Sequence, residues 1–198
     1  MKYLETKRLI LRKPKISDWG DFVEGLNDIE VSKNLVIHPY PYKKKDAIED
    51  IKFSMDEWKE KNKLSYPFVI ELKSEKKVIG ETGIYQINWE SKKGTLGYWI
   101  NRSYWKKGYN LEASIPIIDF AFKKLKLKKI EDSVWSENKA SNKTLRRLGF
   151  EFEGTLRKSL ASRATGKIHN VNCYGLFKKN WTKIKLNIIK KINNKIIK

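Results

Sequence analysis

The stretch WKKGYNLEA, Trp105 to Ala113, sets one glycine between two lysines and a tyrosine. An apolar strand-like run, GTLGYWI, precedes it, and an apolar helix-like run, SIPIIDFAFKKL, follows. The first turn of a helix leaves about four amide N–H groups without partners. Those groups and the helix dipole favour an anion. A glycine lets the anion approach the backbone closely, and Lys106 and Lys107 add positive charge. The junction therefore suits a phosphate or pyrophosphate, although a turn with one glycine is ordinarily only a turn. A second stretch, NKASNKTLRRLGF, opens on Asn138 with Ser141 three residues later. Both residue types cap helices well.

These residues need elements to hold them. Residues 4 to 13 alternate around Leu9 and Leu11 and predict one edge strand. A helix follows, capped by Ser17 or Asp18. NLVIHPYPYKKK, with two prolines, is a loop. From Asp46 to Lys61, apolar residues recur at three- and four-residue steps, which predicts an amphipathic helix. PFVIEL, KVIGETGIYQI and GTLGYWI predict an antiparallel meander. Tyr109 to Leu125 reads as a helix and Lys128 to Trp135 as a strand. A helix then stops at Gly149, and FEFEGTLRKSL and NVNCYGLF are two last strands. The order predicts an α+β fold with one sheet of about seven strands and a β-α-β unit at its centre.

Bulk composition agrees with one domain. The 198 residues are 40% apolar, with 7 Trp, 9 Tyr and 8 Phe, enough to bury a core. No apolar run approaches the ~20 residues of a membrane span, and the first residues show no signal-peptide pattern. The lone Cys173 excludes an internal disulfide and fits a reducing cytoplasm; in its strand pattern it reads as a buried side chain. His38 and His169 lie far apart in sequence, and no metal-ligand spacing is present. The net charge of +20 attracts anions. The last residues, KIKLNIIKKINNKIIK, contain no acid. Ile184, Ile188, Ile192 and Ile196 fall at steps of four, so the tail has one apolar face. It reads as a helix packed on the domain or in a dimer contact, or as a contact to RNA or a lipid surface.

The pieces TKRLILRK, FVIELKSEKKVIGETGIY, LGYWINRSYWKKGYNLEA, NKASNKTLRRLGF, EFEGTLR and NVNCYGLFKKNW occur in an order and spacing that resemble the GNAT N-acetyltransferase superfamily, within it the RimJ/RimL type that acetylates ribosomal protein N-termini. The resemblance implies a GNAT domain over residues 1–181, with 182–198 as a basic amphipathic tail. It implies acetyl-CoA as donor and a mostly antiparallel sheet whose central parallel strands splay apart. The pyrophosphate would sit on the amides of Lys106, Lys107, Gly108, Tyr109, Asn110 and Leu111, in a turn that begins at Trp105. Asn110 departs from the Gly or Ala of the family's turn. The pantetheine arm would pair with Tyr98, Trp99 and Ile100 like an added strand. A backbone N–H there would hold the oxyanion, an effect worth about 3 to 4 kcal/mol per donor. Asn138 would bond the pantetheine.

Many GNAT proteins place a Tyr one turn past the Ser141 position, where this chain has Leu145; RimL-like relatives use the serine instead, so the resemblance implies Ser141 as the acid. Lys158 to Lys167 contain no carboxylate, and Thr95 stands where the family often has Glu. Glu81 is the remaining candidate base, acting through water, or else a solvent-facing strand carboxylate. A weak base favours an α-amine, since about 14% of an amine of pKa ~7.8 is neutral at pH 7 against about 0.04% for lysine. That gap is worth about 3.5 kcal/mol. The expected acceptor is a protein N-terminus, with RNA contacts on a ribosome. The alternatives are a small amine (polyamine, amino sugar or antibiotic), or a non-enzymatic RNA-binding protein on the same scaffold.

Overall fold

A computed structural model describes residues 3–196, with side chains through Lys190. Eight strands form one sheet in the order β1-β2-β3-β4-β5-β6-β8-β7. They are β1 (Tyr3–Glu5), β2 (Leu9–Arg12), β3 (Tyr66–Leu72), β4 (Lys77–Asn88), β5 (Lys93–Ile100), β6 (Lys129–Trp135), β7 (Glu151–Ala161) and β8 (Ile168–Phe177). The helices are α1 (Trp19–Leu26), α2 (Ile29–Ser32), α3 (Lys44–Glu57), α4 (Tyr109–Lys123), α5 (Lys139–Arg147) and α6 (Lys178–Ile196). Every neighbouring strand pair is antiparallel except β5 with β6.

The single strand expected over residues 4–13 is a hairpin instead. Thr6 breaks it: its amide donates to Leu9 O at 3.0 Å and its hydroxyl accepts from Leu9 N at 3.0 Å. The sheet therefore has one strand more than the pattern predicted. The helix expected over Asp46–Lys61 runs from Lys44 to Glu57. Cys173 lies in β8 as expected, but it is half-buried rather than buried.

Strand alternation divides the core between the two faces of the sheet. Phe68, Ile70, Leu96 and Ile100 pack with Ala113, Ile117 and Ala121 of α4, with Leu145 of α5 and with Leu148 just past its end. Val69, Val78 and Trp99 pack on the opposite face with Phe22 and Leu26 of α1 and with Ala47 and Ile51 of α3. Residue 98 of β5 thus faces α4 and α5, and residue 99 faces α1 and α3.

The basic end of the chain continues α6, which already begins at Lys178. Trp181 donates its indole N–H to Asp119 at 2.8 Å, Lys185 pairs with the same carboxylate, and Ile184 and Ile188 pack on the core. Ile192 and Ile196 lie outside the described side chains. Gly149 makes room for α6. Its φ is +85°, and a Cβ there would sit 1.9 Å from Ile184 Cδ1. Gly149→Ala adds left-handed strain to that overlap, so it is expected to cost about 1 to 3 kcal/mol. At about 2 to 4 °C per kcal/mol for a chain of this size, calorimetry should show a Tm drop of about 5 °C.

Candidate functional site

The site starts where two strands part. β5 and β6 pair at Lys93–Lys129, Gly94–Ile130 and Thr95–Glu131, and no further. Beyond Thr95, residues 96–100 of β5 keep β4 on one side and have no strand partner on the other, so β5 and β6 split apart. Tyr98, Trp99 and Ile100 lie on this unpaired stretch.

At the far end of the split the chain turns into α4. Trp105 donates its indole N–H to Ile100 O at 2.7 Å, which ties the turn to the end of β5. Lys106 (φ +63°) and Gly108 (φ +81°) are both left-handed, a conformation that costs a lysine of order 1 kcal/mol or more. Alternation of this kind gathers backbone N–H groups into an anion-binding concavity. The first helical bond of α4 runs from Glu112 N to Gly108 O at 3.1 Å, so the amides of Tyr109, Asn110 and Leu111 have no intrahelical partner. Lys106 and Lys107 are exposed at the rim.

An anchor that sequence reading missed holds this turn. Arg8, in the β1–β2 hairpin, places Nε 2.6 Å from Glu112 Oε2 and donates from Nη2 to Lys107 O at 3.1 Å. Its guanidinium lies 4.2 Å from the centre of the Tyr109 ring. Glu112, only 5% exposed, also accepts from Thr6 Oγ1 at 2.7 Å and Arg8 N at 2.9 Å. The single sequence hint was an acid in the first turn of α4 amid basic neighbours, where the helix dipole favours it. Its partner a hundred residues away carried none.

Asn138 caps α5: its Oδ1 accepts from Ser141 N at 3.1 Å. Its Nδ2 donates to Asn34 Oδ1 at 3.0 Å. Ser141 is half-buried in the first turn and lies beside the Tyr98 hydroxyl. Leu145, one turn on, is fully buried among apolar side chains and offers nothing to a leaving group. The Asn110 side chain also lies beside Tyr98, with its Oδ1 out of water and without a hydrogen-bond partner.

Glu81 is on β4, opposite Trp99 on the α1–α3 face. It is not the solvent-facing carboxylate that a strand position would suggest, because it is only 9% exposed. Tyr85 donates its hydroxyl to Glu81 Oε1 at 2.7 Å. Gly97 admits that ring; a Cβ there would sit 2.8 Å from Tyr85 Cε2. Burial raises the Glu81 carboxyl to about 7, the Tyr85 bond opposes the rise, and the charge of Asp50 adds to it. Asp50 in turn accepts from Tyr42 OH at 2.6 Å and lies 3.5 Å from His38 Nε2. The 33–43 loop that carries His38 and Tyr42 is tied to the β7–β8 loop: Arg163 donates from its amide to Val36 O at 3.1 Å and from Nη1 to Ile37 O at 3.2 Å.

The sheet thus separates two half-sites. An anion cradle and a polar cleft open on the α4–α5 face, and a poised carboxylate sits under two joined loops on the other. The open amides and partnerless oxygens fit a long, amide-bearing phosphate ester such as acetyl-CoA. Such a layout suits a transferase that brings an acyl thioester and an amine together through a split in one sheet. A profile of the acetyltransferase (GNAT) domain matches residues 8–151, and the chain belongs to that family. The uncharacterized N-acetyltransferase p20 of Bacillus licheniformis is 33% identical over 186 residues, which cover 91% of this chain and 99% of that protein. Among solved structures, Microcin C7 self immunity acetyltransferase MccE in complex with acetyl-CoA and AMP superposes with a TM-score of 0.75 at 22% identity, covering 87% of this chain and 93% of that one. Ribosomal-protein-S5-alanine acetyltransferase from Vibrio fischeri does so with a TM-score of 0.75 at 22% identity, covering 91% and 99%. The chain is therefore an acetyl-CoA-dependent N-acetyltransferase, and the reading as a non-enzymatic RNA-binding scaffold falls. Among the described residues no helix is long and apolar enough to cross a membrane, and no cluster of side chains could hold a metal ion.

Proposed function

We propose that this enzyme acetylates the N-terminal α-amine of a protein, with a ribosomal protein as the first candidate, by direct attack of the amine on the thioester. Acetyl-CoA lies with its pyrophosphate on the amides from Lys106 to Leu111 and its pantetheine along Tyr98 to Ile100. Glu81 takes the amine proton through a water molecule. Asn138 fixes the start of α5 and so the position of Ser141, whose hydroxyl faces the departing thiolate.

One observation carries the choice of amine: the candidate base has a pKa of about 7. Moving a proton from an α-ammonium of pKa ~7.8 to such a carboxylate is uphill by about 1 kcal/mol, but from a lysine ammonium of ~10.4 by about 4.6 kcal/mol. A basic cleft of about 570 Å³, lined by Lys139, Lys143, Arg146 and Arg147, supports an RNA contact. None of these four cations is ion-paired among the described residues, and such contacts weaken steeply with salt. We place the enzyme in the cytoplasm, where ribosomes are. Through Ile188 the tail packs on the folded body as part of α6.

The test is acetyl transfer across peptides that differ in their N-terminal residue, beside polyamines, amino sugars and aminoglycosides. Peptides with a free α-amine should be acetylated and the same peptides with a blocked one should not. Transfer to the small amines and to no peptide would overturn the proposal in favour of a small-amine enzyme.

A further inference from the structure

Four polar side chains meet in the split between β5 and β6, and the reading above uses only one of them, Ser141. Tyr98 stands three positions past the last β5–β6 pair, Thr95 with Glu131. Its ring packs on the core between the sheet and α4. Its hydroxyl is out of water and has no hydrogen-bond partner, although Ser141 and Asn110 lie beside it. Asp132 is the first residue of β6 past the split. It is 7% exposed, and its Oδ2 also lacks a partner. The Asn110 Oδ1 is the third orphan oxygen.

A buried polar atom without a partner costs about 1 to 3 kcal/mol, and native proteins hold few of them. Three in one cleft mark a place where polar groups of a bound molecule complete the bonding. Near the amide turn that molecule has two amides and a sulfur to offer. Ser141 is the only hydroxyl that the first turn of α5 presents to this cleft, and Tyr98 brings a second one from the strand.

We propose that Tyr98 is a second catalytic hydroxyl of the transfer: together with Ser141 it donates a hydrogen bond to the CoA sulfur as the carbon–sulfur bond breaks. This rests on the direct-attack reading. The amine nitrogen forms the new bond to the acetyl carbon, and its proton passes through water to Glu81. The tetrahedral intermediate collapses, and the electron pair of the C–S bond stays on sulfur. Tyr98 keeps its own proton, because burial holds the phenol above its ordinary range and far above a thiol near ~8.5. The thiolate leaves hydrogen-bonded and takes a proton from water on release. Asn110, with its orphan oxygen, accepts a pantetheine N–H. On this reading its departure from a small residue in the turn serves the cleft, not the pyrophosphate.

The experiment does not need the acceptor. CoA is titrated on the enzyme and the thiolate is followed by its ultraviolet absorbance. Bound to the native enzyme, the thiol should ionise below its free value of about 8.5; bound to Tyr98→Phe, it should ionise roughly one unit higher than on the native enzyme. The loss of one hydroxyl should leave acetyl-CoA affinity within about twofold and Tm unchanged or raised, since an orphan donor is removed. With any amine that the acceptor panel identifies, kcat should fall about tenfold or more, and Tyr98→Phe with Ser141→Ala should fall further than either alone. An unchanged thiol pKa overturns the proposal. So does a weaker affinity with unchanged kcat, which would make Tyr98 a pantetheine ligand alone. A lowered thiol pKa that depends on Tyr98, in an enzyme that acetylates no peptide, would sustain this inference while the acceptor reading fails.

Discussion

Glu81→Gln is expected to lower kcat by at least about a hundredfold while leaving acetyl-CoA affinity near native. General-base catalysis contributes roughly 10² to 10⁴, and Glu81 is the carboxylate that the fold places behind Trp99, opposite the split. The substitution keeps shape and retains an oxygen for the Tyr85 hydroxyl, now at 2.7 Å from Oε1. What it removes is the charge. The sign of the pH effect follows. A base works ionised, and Glu81 titrates at about 7 because burial penalises its charge. An α-amine contributes its own step near ~7.8. Below pH 6.5 the native log kcat/KM should therefore rise by about two per pH unit, one for each group, and the variant by about one. Asp50→Asn removes a neighbouring negative charge and should move the Glu81 step to lower pH. A variant that keeps a tenth of native kcat, or keeps the steeper limb, would remove Glu81 from the role of base.

The path from sequence to this site shows which parts are local. The meander of β3, β4 and β5 was legible because alternation and turn residues are properties of neighbours in the chain. Gly108 and Gly149 were legible for the same reason: each stands at a helix boundary, Gly149 with the positive φ that a helix C-terminus favours and Gly108 with a positive φ of its own at the start of α4. The hairpin at Thr6 was hidden, since LETKRLILRK alternates well enough to pass as one strand, and only the Thr6 hydroxyl closing on Leu9 betrays the turn. Arg8 and Glu112 were hidden too, because nothing near either residue names the other. Glu81 looked solvent-facing for a physical reason: a lone acid in a strand is ordinarily on the wet face. Its burial comes from its register opposite Trp99, an indole packed with Phe22 of α1 and Ile51 of α3. The orphan oxygens of the cleft are tertiary by nature. No spacing brings Asn110, Tyr98 and Asp132 together until β5 leaves β6.

Asp132→Asn is expected to stabilise the protein, and to do so more strongly at pH 8 than at pH 5. Burial raises the Asp132 carboxyl to about 8, with the Ser133 amide at 2.7 Å from Oδ1 pulling the other way. The unfolded chain holds it near ~3.9. The folded state thus binds this proton more tightly, and stability is lost as pH rises from about 4 to about 8. At pH 7 the three-unit gap corresponds to at most about 4 kcal/mol. Asparagine has no proton to lose, so the variant escapes this cost. If half of it is realised, the Tm gain at pH 8 should exceed that at pH 5 by about 5 °C. Glu81 behaves in the same sense, being raised to about 7, so the readout is the difference between variant and native protein at each pH. Equal gains at both would mean that Asp132 is already ionised in the folded state. The cost itself has a functional reading. A carboxyl that stays neutral at physiological pH keeps the cleft beside Tyr98 free of negative charge, and that is the condition under which a thiolate can form there. A carboxylate at that place would stabilise the fold less and oppose the leaving group more, so the stability penalty and the chemistry draw on the same desolvation.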